Sequence, residues 1–314
     1  GFVRVKDLNV FVTPSGLIQN GVDAANAGDT VNVAAGAYAA GSATTTKNNL
    51  TMNVPSGVTG FTGLVLDASV TNGTATLTGA GSVNLTGNAG NNTLTGNDGA
   101  NSITGGDGND TITGGLGDDT ITGGTGADTA VFSGNIAAYT ISGTGPVTVS
   151  GPDGTDTLDG VEVLRFADMV VVSSTSGDDT FTVQKNGTNL EVLVNGTVTA
   201  TLALSSTMTL ELNGGDGNDT FSIDIQAIPA GGISINGQNP TSGSGDSLVL
   251  TNSGANPTSV THNFTSASDG SVDIDGKSIT YTGLEPVDDN LNAATRVFNF
   301  TGGAEDITLS LDGA

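Results

Sequence analysis

The 314-residue sequence contains no cysteine and no tryptophan, and aromatic residues make up only 4% of it. The absence of cysteine excludes disulfides, thiolate metal sites and cysteine nucleophiles. The scarcity of aromatic side chains favours thin repeating coils over a deep globular core. No apolar run is long enough to span a bilayer.

Basic residues are also scarce: seven Lys and Arg stand against 32 Asp and Glu, which gives a formal net charge of −25. Without a basic stripe to neutralise phosphates, nucleic acid is excluded as a partner and anionic membranes are disfavoured. Most of the acidic residues are aspartates. This bias favours turns and cation ligation over a generic solvating surface.

Residues 87–131 consist of five nine-residue units in unbroken register. They read GNAGNNTLT, GNDGANSIT, GGDGNDTIT, GGLGDDTIT and GGTGADTAV. The third and fourth match GGxGxDxUx throughout, where U is a bulky apolar residue. The first two carry Asn at the sixth position, and the fifth has Ala130 at the apolar position. Such a tandem array at a fixed period indicates a repeat architecture.

Each unit predicts a tight turn followed by a short strand. Glycine at the first, second and fourth positions permits positive φ angles, and the polar–apolar–polar ending is typical of a strand with one buried side chain. Two units make one coil, so each unit lies beside the unit two further on, about 4.8 Å away. The residues expected to stack inside the solenoid are Leu94, Ile103, Ile112 and Ile121.

The sixth residues of the units stack in the same way. Bare carboxylates at this spacing would repel each other by roughly 3 kcal/mol per pair at an effective dielectric constant near 20. A hard cation between them removes this repulsion, and Ca²⁺ tolerates a flexible cage of carboxylate and carbonyl oxygens better than Mg²⁺ does. The units therefore predict bound Ca²⁺.

The five units resemble the calcium-binding parallel β-roll of the RTX (repeats-in-toxin) family of secreted bacterial proteins. The resemblance implies that each ion lies between units n and n+2. The earlier unit supplies the carbonyls of its second and fourth residues and its sixth side chain. The later unit supplies the carbonyls of its first and third residues and its sixth side chain.

Three sites follow when this arrangement is carried over by position. The first comprises Gly106, Gly108, Asp110, Gly123, Thr125 and Asp128. The second comprises Asn97, Gly99, Asn101, Gly114, Leu116 and Asp119. The third comprises Asn88, Gly90, Asn92, Gly105, Asp107 and Asp110. The second and third sites each have one uncharged Asn among their sixth residues, so weaker binding is expected there. The alternative, a flexible Gly/Asp/Asn-rich linker, is disfavoured by the unbroken apolar series.

Residues 1–86 are predicted to begin the solenoid, starting with an edge strand over residues 1–13. Ser15 is the expected N-cap of a short helix that ends at Gly28. Its apolar face would comprise Leu17, Ile18, Val22 and Ala25. This helix and the following GDTVNVAAGAY resemble the N-terminal cap of right-handed parallel β-helices of the pectin-lyase-like class. Short strands are expected from residue 48 to 86.

Residues 132–172, with a YTI strand and GTDTLDGVEVLRFAD, resemble the segment that closes RTX arrays. A solenoid needs such a cap, because its last coil exposes apolar side chains and unpaired strand edges. Arg165 is expected to pair with Glu162. The side chains expected to cover the open end are Phe132, Tyr139, Ile141, Leu158, Val161, Leu164 and Phe166.

Residues 173–314 are predicted to form a second β-rich module. SGDDTFTV (176–183) returns as GDGNDTFSI (215–223) and, more loosely, as GSGDSLVL (243–250). This pattern indicates larger coils or a β-sandwich-like stack, with further strands up to DITLSLDGA at the end. The acidic turn residues either bind more calcium or form Asx turns. They are Asp178, Asp179, Asp216, Asp219 and Asp246.

The predicted fold is all-β: a right-handed parallel β-helix/β-roll solenoid followed by further β-strand-rich modules, with one short N-terminal capping helix. The predicted domains are a β-helix start (1–86), an RTX calcium β-roll (87–131), a β-roll cap (132–172) and the second module (173–314). The start at Gly1 and the end at Ala314 suggest a piece of a longer protein.

The expected function is that of a secreted, calcium-binding structural protein of the bacterial cell surface, as an S-layer, extracellular fibre or adhesin component. The expected partners are calcium and either other copies of the chain or surface proteins and glycans, with no nucleic acid and no membrane insertion. No catalysis is expected, because the basic residues are scattered and neither HExxH nor GxSxG occurs. His262 is expected to be a solvated or hydrogen-bonded strand residue. The alternatives are a polysaccharide-binding or polysaccharide-cleaving β-helix and a non-catalytic C-terminal part of an RTX exoenzyme.

Overall fold

The computed structural model describes residues 3–6, 8–143, 145–174, 176–238 and 245–301, without the side chains of residues 3–6 and 285–286. It divides into two compact units, Gly1–Met169 (unit 1) and Val170–Ala314 (unit 2). Strands dominate both units, and the described helices are α1 (Ile18–Ala24) and two short 3₁₀ turns at Ile136–Ala138 and Ile225–Ala227. None of these helices is long and apolar enough to cross a membrane. The predicted all-β class is confirmed.

The strands of unit 1 are short, and most have between three and six residues. They are β1 (Val3–Lys6), β2 (Asn9–Val12), β3 (Thr30–Val33), β4 (Gly36–Thr45), β5 (Leu50–Asn53), β6 (Val58–Leu66), β7 (Thr74–Thr78), β8 (Asn84–Thr86), β9 (Thr93–Thr95), β10 (Ser102–Asp107), β11 (Thr111–Thr113), β12 (Thr120–Thr125), β13 (Thr129–Val131), β14 (Thr140–Ser142), β15 (Val147–Gly151), β16 (Gly154–Asp159) and β17 (Val163–Arg165).

Unit 1 is a solenoid with two parallel ladders. One ladder runs β2–β3–β5–β7–β9–β11–β13–β17, and the other runs β4–β6–β8–β10–β12–β16. Ile103 lies opposite Ile121, and Ile112 lies opposite both Leu94 and Ala130. These five side chains are at most 1% exposed. The predicted apolar stack and the neighbourhood of units n and n+2 are therefore confirmed.

The N-terminal segment is a hairpin, so the expectation of one edge strand over residues 1–13 is wrong. β1 pairs antiparallel with β2, and Val3 lies opposite Val12. The chain reverses next to Leu8, which has a φ angle of 64°. Alternating residues could not reveal this reversal, because a short hairpin preserves the alternation on both of its strands.

The expected cap of α1 is also wrong. The N-cap residue is Leu17, which makes no side-chain capping bond, and Ser15 Oγ instead lies 3.3 Å from Thr13 Oγ1 within the preceding turn. Leu17 is 54% exposed and is not part of the buried face. Ile18 and Val22 are buried as predicted.

Three aromatic rings pack against one another in the segment that follows the last repeat. Phe132 stacks on Phe166 with ring centroids 5.0 Å apart, and Tyr139 lies 5.5 Å from Phe132 and 5.1 Å from Phe166. Leu158 is buried as well, whereas Ile141 is 40% exposed. Ile141 was expected in the cap but lies on β14, the outermost strand of its sheet.

The strands of unit 2 are longer and include hairpins. They are β18 (Met169–Ser173), β19 (Thr180–Asn186), β20 (Asn189–Val194), β21 (Thr197–Ala203), β22 (Thr209–Asn213), β23 (Thr220–Asp224), β24 (Ile233–Asn236), β25 (Asp246–Thr251), β26 (Ser259–Phe264), β27 (Gly270–Ile274), β28 (Lys277–Thr282), β29 (Leu284–Asp289) and β30 (Thr295–Phe300).

Unit 2 also contains parallel ladders, so the repeated DTF segments form the larger coils that were one of the two expectations. β19, β23, β25 and β29 pair in parallel, and β22, β24 and β28 pair in parallel in the other sheet. Phe181 lies opposite Phe221 with ring centroids 4.8 Å apart, and Phe221 lies opposite Leu248. The strand expected at DITLSLDGA lies outside the described residues, as does the beginning of GSGDSLVL.

Candidate metal centre

The sixth residues of the five units are buried at the start of their strands. Because parallel strands of neighbouring coils pair in register, each of these residues lies beside its counterpart two units away. Their exposed fraction is at most 4%. They are Asn92, Asn101, Asp110, Asp119 and Asp128.

One oxygen of each of these carboxylates accepts a backbone hydrogen bond from the neighbouring coil. Asn92 N–H donates to Asp110 Oδ1 and Asp110 N–H donates to Asp128 Oδ1, both at 2.7 Å. In the other ladder, Asn101 N–H donates to Asp119 Oδ1 at 2.7 Å. The sixth residues are thus linked from coil to coil, with each carboxylate fixed by the coil before it.

The second oxygen of each carboxylate is buried without a hydrogen-bond partner within the described part of the chain. These atoms are Oδ2 of Asp110, Asp119 and Asp128. An unpaired buried polar group costs about 1–3 kcal/mol, and more when it is charged. Burial raises the pKa of Asp110 and of Asp119 to about 6 and also raises the pKa of Asp128. A cation bound to these oxygens would remove the cost.

Carbonyl oxygens converge on the gap between the third and fifth units. A Cβ atom built on Gly124 would lie 1.9 Å from the carbonyl oxygen of Gly106. One built on Gly105 would lie 2.5 Å from the oxygen of Gly123 and 2.1 Å from Asp110 Oδ2. Only glycine lets the turns approach this closely, and Gly124 has a φ angle of 123°.

The structure brings together the first predicted site. Gly106 pairs with Gly124 and Asp107 with Thr125, and the oxygen of Gly108 would lie 2.0 Å from a Cβ on Gly126. The carbonyl of Thr125 accepts the N–H of Gly108 at 2.8 Å and so contributes to the ladder.

The second predicted site has the same arrangement, except that Asn101 stands in place of the carboxylate of the earlier unit. The oxygen of Gly114 would lie 2.0 Å from a Cβ on Gly96, and the oxygen of Asn97 would lie 2.1 Å from a Cβ on Gly115. The oxygen of Gly99 is 3.3 Å from a Cβ placed on Gly117. Leu116 is 49% exposed, and its apolar side chain offers no ligand atom, so only its carbonyl could bind a cation.

In the second site, the Asn side chains are satisfied by the protein itself. Asn101 Oδ1 accepts the N–H of Asn97 at 2.9 Å, and Asn101 Nδ2 donates to the carbonyl of Val83 at 2.6 Å. Asn97 Nδ2 donates to the carbonyl of Gly81 at 2.9 Å. The unpaired oxygen of this site therefore belongs to the later unit alone.

The third predicted site also begins at an amide-filled turn. Asn92 Oδ1 accepts the N–H of Asn88 at 2.6 Å. Asn88 Nδ2 donates to the carbonyls of Asp67 and Val70, each at 2.8 Å. The amide of Asn88 thus donates to carbonyl oxygens of the preceding coil, which an ion could otherwise bind.

The later half of the third site is shared with its neighbours. The oxygen of Gly105 would lie 2.1 Å from a Cβ on Gly87, and a Cβ on Gly108 would lie 2.9 Å from the carbonyl carbon of Gly90. Asp107 Oδ1 accepts the hydroxyl of Thr125 at 2.7 Å, so this side chain faces the unit two further on.

Two further acids extend the rows beyond the repeats. Asp119 N–H donates to Asp156 Oδ1 at 2.9 Å, and Asp128 N–H donates to Glu162 Oε2 at 2.8 Å. Burial raises the pKa of Asp156 to about 6 and also raises the pKa of Glu162. The segment TDTL resembles the DTI of the repeats, and this similarity could have identified Asp156 from the sequence. The expected Arg165–Glu162 pair is wrong, because the Glu162 carboxylate accepts the N–H of Asp128 in the neighbouring coil.

Comparison with known families identifies the repeat. Residues 77–103, 95–130 and 211–222 match the RTX calcium-binding nonapeptide repeat, in four copies. The chain carries RTX calcium-binding repeats. RTX nonapeptide repeats bind Ca²⁺, and proteins that contain them are typically secreted. The unpaired oxygens of the RTX roll, residues 87–131, fit this cation.

Other comparisons add little to this identification. Among solved structures, the extracellular lipase LipA from Serratia marcescens matches 65% of this chain at 15% identity, with a TM-score of 0.19. The chain spans 43% of the length of that lipase. No curated protein sequence matches this chain.

Proposed function

We propose that this chain is a secreted, calcium-binding structural protein of the bacterial cell surface, serving as an S-layer, extracellular fibre or adhesin component that folds and assembles on binding Ca²⁺. The observation that carries the proposal is the set of buried, unpaired carboxylate oxygens at Asp110, Asp119 and Asp128. These oxygens make the folded roll depend on a cation at neutral pH.

The affinity of such sites favours a role outside the cell. Extracellular calcium modules bind with dissociation constants of about 10⁻⁴ to 10⁻³ M. At the much lower calcium concentration of a cytosol, folding would bury these carboxylates without a cation, so the roll would stay unfolded. The chain would therefore fold after export, where calcium is abundant.

A structural role is also supported by how the charged residues are used. The buried aspartates of the roll are bound to backbone N–H groups of neighbouring coils. His262 is 2% exposed and lies 3.0 Å from Asp289, which also accepts from Arg296. Lys277 Nζ donates to the carbonyl of Ile228. These groups have local structural partners, so we propose that the chain has no catalytic activity.

Assembly can use the sheet edge at the N-terminal hairpin. β1 is the outermost strand of its sheet, and an outermost strand can pair with another chain. We expect electron microscopy and sedimentation to show ordered polymers in millimolar Ca²⁺ and monomers in EGTA, with polymers lost when residues 1–13 are removed. Monomers under every condition would contradict the assembly role.

A glycan screen with product analysis separates this proposal from a polysaccharide-binding or polysaccharide-cleaving β-helix. We expect no cleaved product with acidic or neutral polysaccharides in the presence of Ca²⁺. New reducing ends or unsaturated products would contradict the structural role. Sequencing the complete reading frame tests whether the chain is the non-catalytic C-terminal part of an RTX exoenzyme.

A further inference from the structure

Unit 2 contains its own row of aspartates at the start of three parallel strands. β19, β23 and β25 pair in register, so that Thr180 lies opposite Thr220 and Thr220 lies opposite Ser247. The residue immediately before each of these is an aspartate. The three are Asp179, Asp219 and Asp246.

The three aspartates repeat the bonding pattern of the RTX roll over much longer coils. Asp179 N–H donates to Asp219 Oδ1 at 2.8 Å across 40 residues of sequence. Asp219 N–H donates to Asp246 Oδ1 at 2.7 Å across 27 residues. Their exposed fractions are 6%, 1% and 0% in chain order. The same backbone geometry thus arises without the nine-residue period.

The second oxygen of each of these aspartates is buried and has no hydrogen-bond partner among the described residues. A Cβ atom built on Gly214 would lie 2.4 Å from Asp219 Oδ2, so this oxygen points across its own turn, as in the roll. Burial raises the pKa of Asp219 to about 6 and also raises that of Asp246. An Asx turn explains one oxygen of a carboxylate but leaves this one unpaired.

Carbonyl oxygens lie close to the gap between the first two coils. The oxygen of Gly177 would lie 2.4 Å from a Cβ on Gly217, so it faces the later coil. The oxygen of Gly214 accepts the hydroxyl of Ser174 and so faces the earlier coil. Carboxylate and carbonyl oxygens in one flexible set are the ligands that Ca²⁺ takes.

The row has a defined beginning at Asn195. Asn195 Nδ2 donates to Asp179 Oδ1 at 2.5 Å, and Asn195 Oδ1 accepts the N–H of Thr180 at 2.9 Å. This amide replaces the backbone N–H that an earlier coil would supply. The gap between Asp179 and Asp219 is therefore the first place where two carboxylates face each other.

We propose that Asp179 and Asp219 bind a Ca²⁺ ion between them, with the carbonyl oxygens of Gly177 and Gly214 as further ligands. Asp246 supplies the next carboxylate of the row. The nonapeptide repeat matches only residues 211–222 in this region, so Asp179 and Gly177 lie outside every matched segment. The ion closes a coil that contains the β20–β21 hairpin, and it makes the folding of unit 2 depend on calcium as well.

Hydrogen exchange on the unmodified full chain tests this inference without a mutation. At a calcium concentration ten times the dissociation constant, opening of a calcium-bound segment falls about tenfold. We expect calcium to slow exchange by at least about this factor at the amides of residues 179–183 and 219–224, besides those of the roll. Protection that is confined to residues 87–131 would overturn the inference and leave the proposed function intact. No calcium-dependent protection in either unit would contradict both.

Three variants locate the bound ions. Asp219→Asn should reduce the number of Ca²⁺ ions retained in equilibrium dialysis and abolish the calcium-dependent protection at residues 220–224. Asp288→Asn is the matched control, because this exposed carboxylate lies in the same unit and its loss removes the same charge. Asp110→Asn should remove ions from the roll alone. Unchanged calcium retention or persisting protection of residues 220–224 in Asp219→Asn would overturn the inference.

Discussion

Asp110 and Asp128 are 18 residues apart, yet the N–H of Asp110 donates to Oδ1 of Asp128 at 2.7 Å. This bond holds Oδ1 of Asp128 in place, and Oδ2 of the same carboxylate is buried and unpaired. The N–H of Asp119 donates to Oδ1 of Asp156 in the same way, at 2.9 Å. The roll therefore stacks buried carboxylates in which one oxygen accepts a backbone N–H and the other is available to a cation.

Replacement of Asp110 by Asn should have opposite effects with and without calcium. In saturating Ca²⁺ the variant loses a charged ligand, and we expect its calcium affinity to fall about tenfold or more. In EGTA at pH 7.5 the variant has lost a buried charge, so it should retain at least as much far-UV β-strand signal as the parent chain. Isothermal titration calorimetry measures the calcium affinity, and far-UV circular dichroism measures the signal in EGTA.

Asp98→Asn is the control for this comparison, because Asp98 is exposed in the second unit. It should change neither the calcium affinity nor the far-UV β-strand signal in EGTA by a measurable amount. Equal effects of Asp98→Asn and Asp110→Asn would mean that net charge, and not the buried carboxylate of Asp110, determines calcium binding.

The raised pKa values predict how calcium dependence varies with pH. Asp110 and Asp119 have pKa values of about 6 in the fold, against an ordinary value of 3.8. Between about pH 4 and 6 the folded chain binds more protons than the unfolded chain, so calcium-free stability falls as pH rises through this window. Calcium binds the deprotonated form and offsets the loss. The difference in far-UV β-strand signal between Ca²⁺ and EGTA should be small at pH 4.5 and full at pH 7.5. A difference that is independent of pH would contradict the assignment.

The period of the repeats was enough to predict the register of the roll, since Leu94, Ile112 and Ala130 align as the nine-residue spacing requires. The roles of Asp156 and Glu162 could not be predicted in this way. An antiparallel meander of β14 and β15 separates Asp119 from Asp156, so their spacing becomes 37 residues instead of 18. Sequence proximity favoured a Glu162–Arg165 pair, whereas strand pairing places Glu162 beside Asp128.

The sequence also could not predict the hydrogen bonds of the Asn side chains in the first turns of the roll. The donors of Asn88 are used by the carbonyls of Asp67 and Val70, in a coil whose turn does not follow the nonapeptide pattern. A consensus comparison marks Asn88 only as a departure from Gly. The structure shows that this side chain holds together the two coils at the start of the roll.

Asn88→Ala should therefore destabilise the chain independently of calcium. Two carbonyls lose their donors, and we expect a loss of about 1–3 kcal/mol in the free energy of unfolding. Thermal unfolding should show the same loss in Ca²⁺ at pH 7.5 and in EGTA at pH 4.5, where protonation of the buried carboxylates lets the roll fold without calcium. A loss seen only in Ca²⁺ would mean that Asn88 acts as a calcium ligand and not as a substitute for one.

The apolar stack of the roll predicts a contrast between two residues four positions apart. Ile112→Ala removes a fully buried side chain and should cost about 2–5 kcal/mol. Leu116→Ala removes an exposed side chain while keeping its carbonyl, so stability should change by less than about 0.5 kcal/mol and calcium affinity should not change. Unfolding in saturating Ca²⁺ measures both, and a large effect of Leu116→Ala would contradict the position of its side chain.

The most direct test of the central claim is a calcium titration of the full chain at pH 7.5, followed by far-UV circular dichroism. The account predicts that EGTA abolishes a large part of the β-strand signal and that Ca²⁺ restores it at about 10⁻⁴ to 10⁻³ M. A β-strand signal that stays the same in EGTA and in excess Ca²⁺ would contradict it.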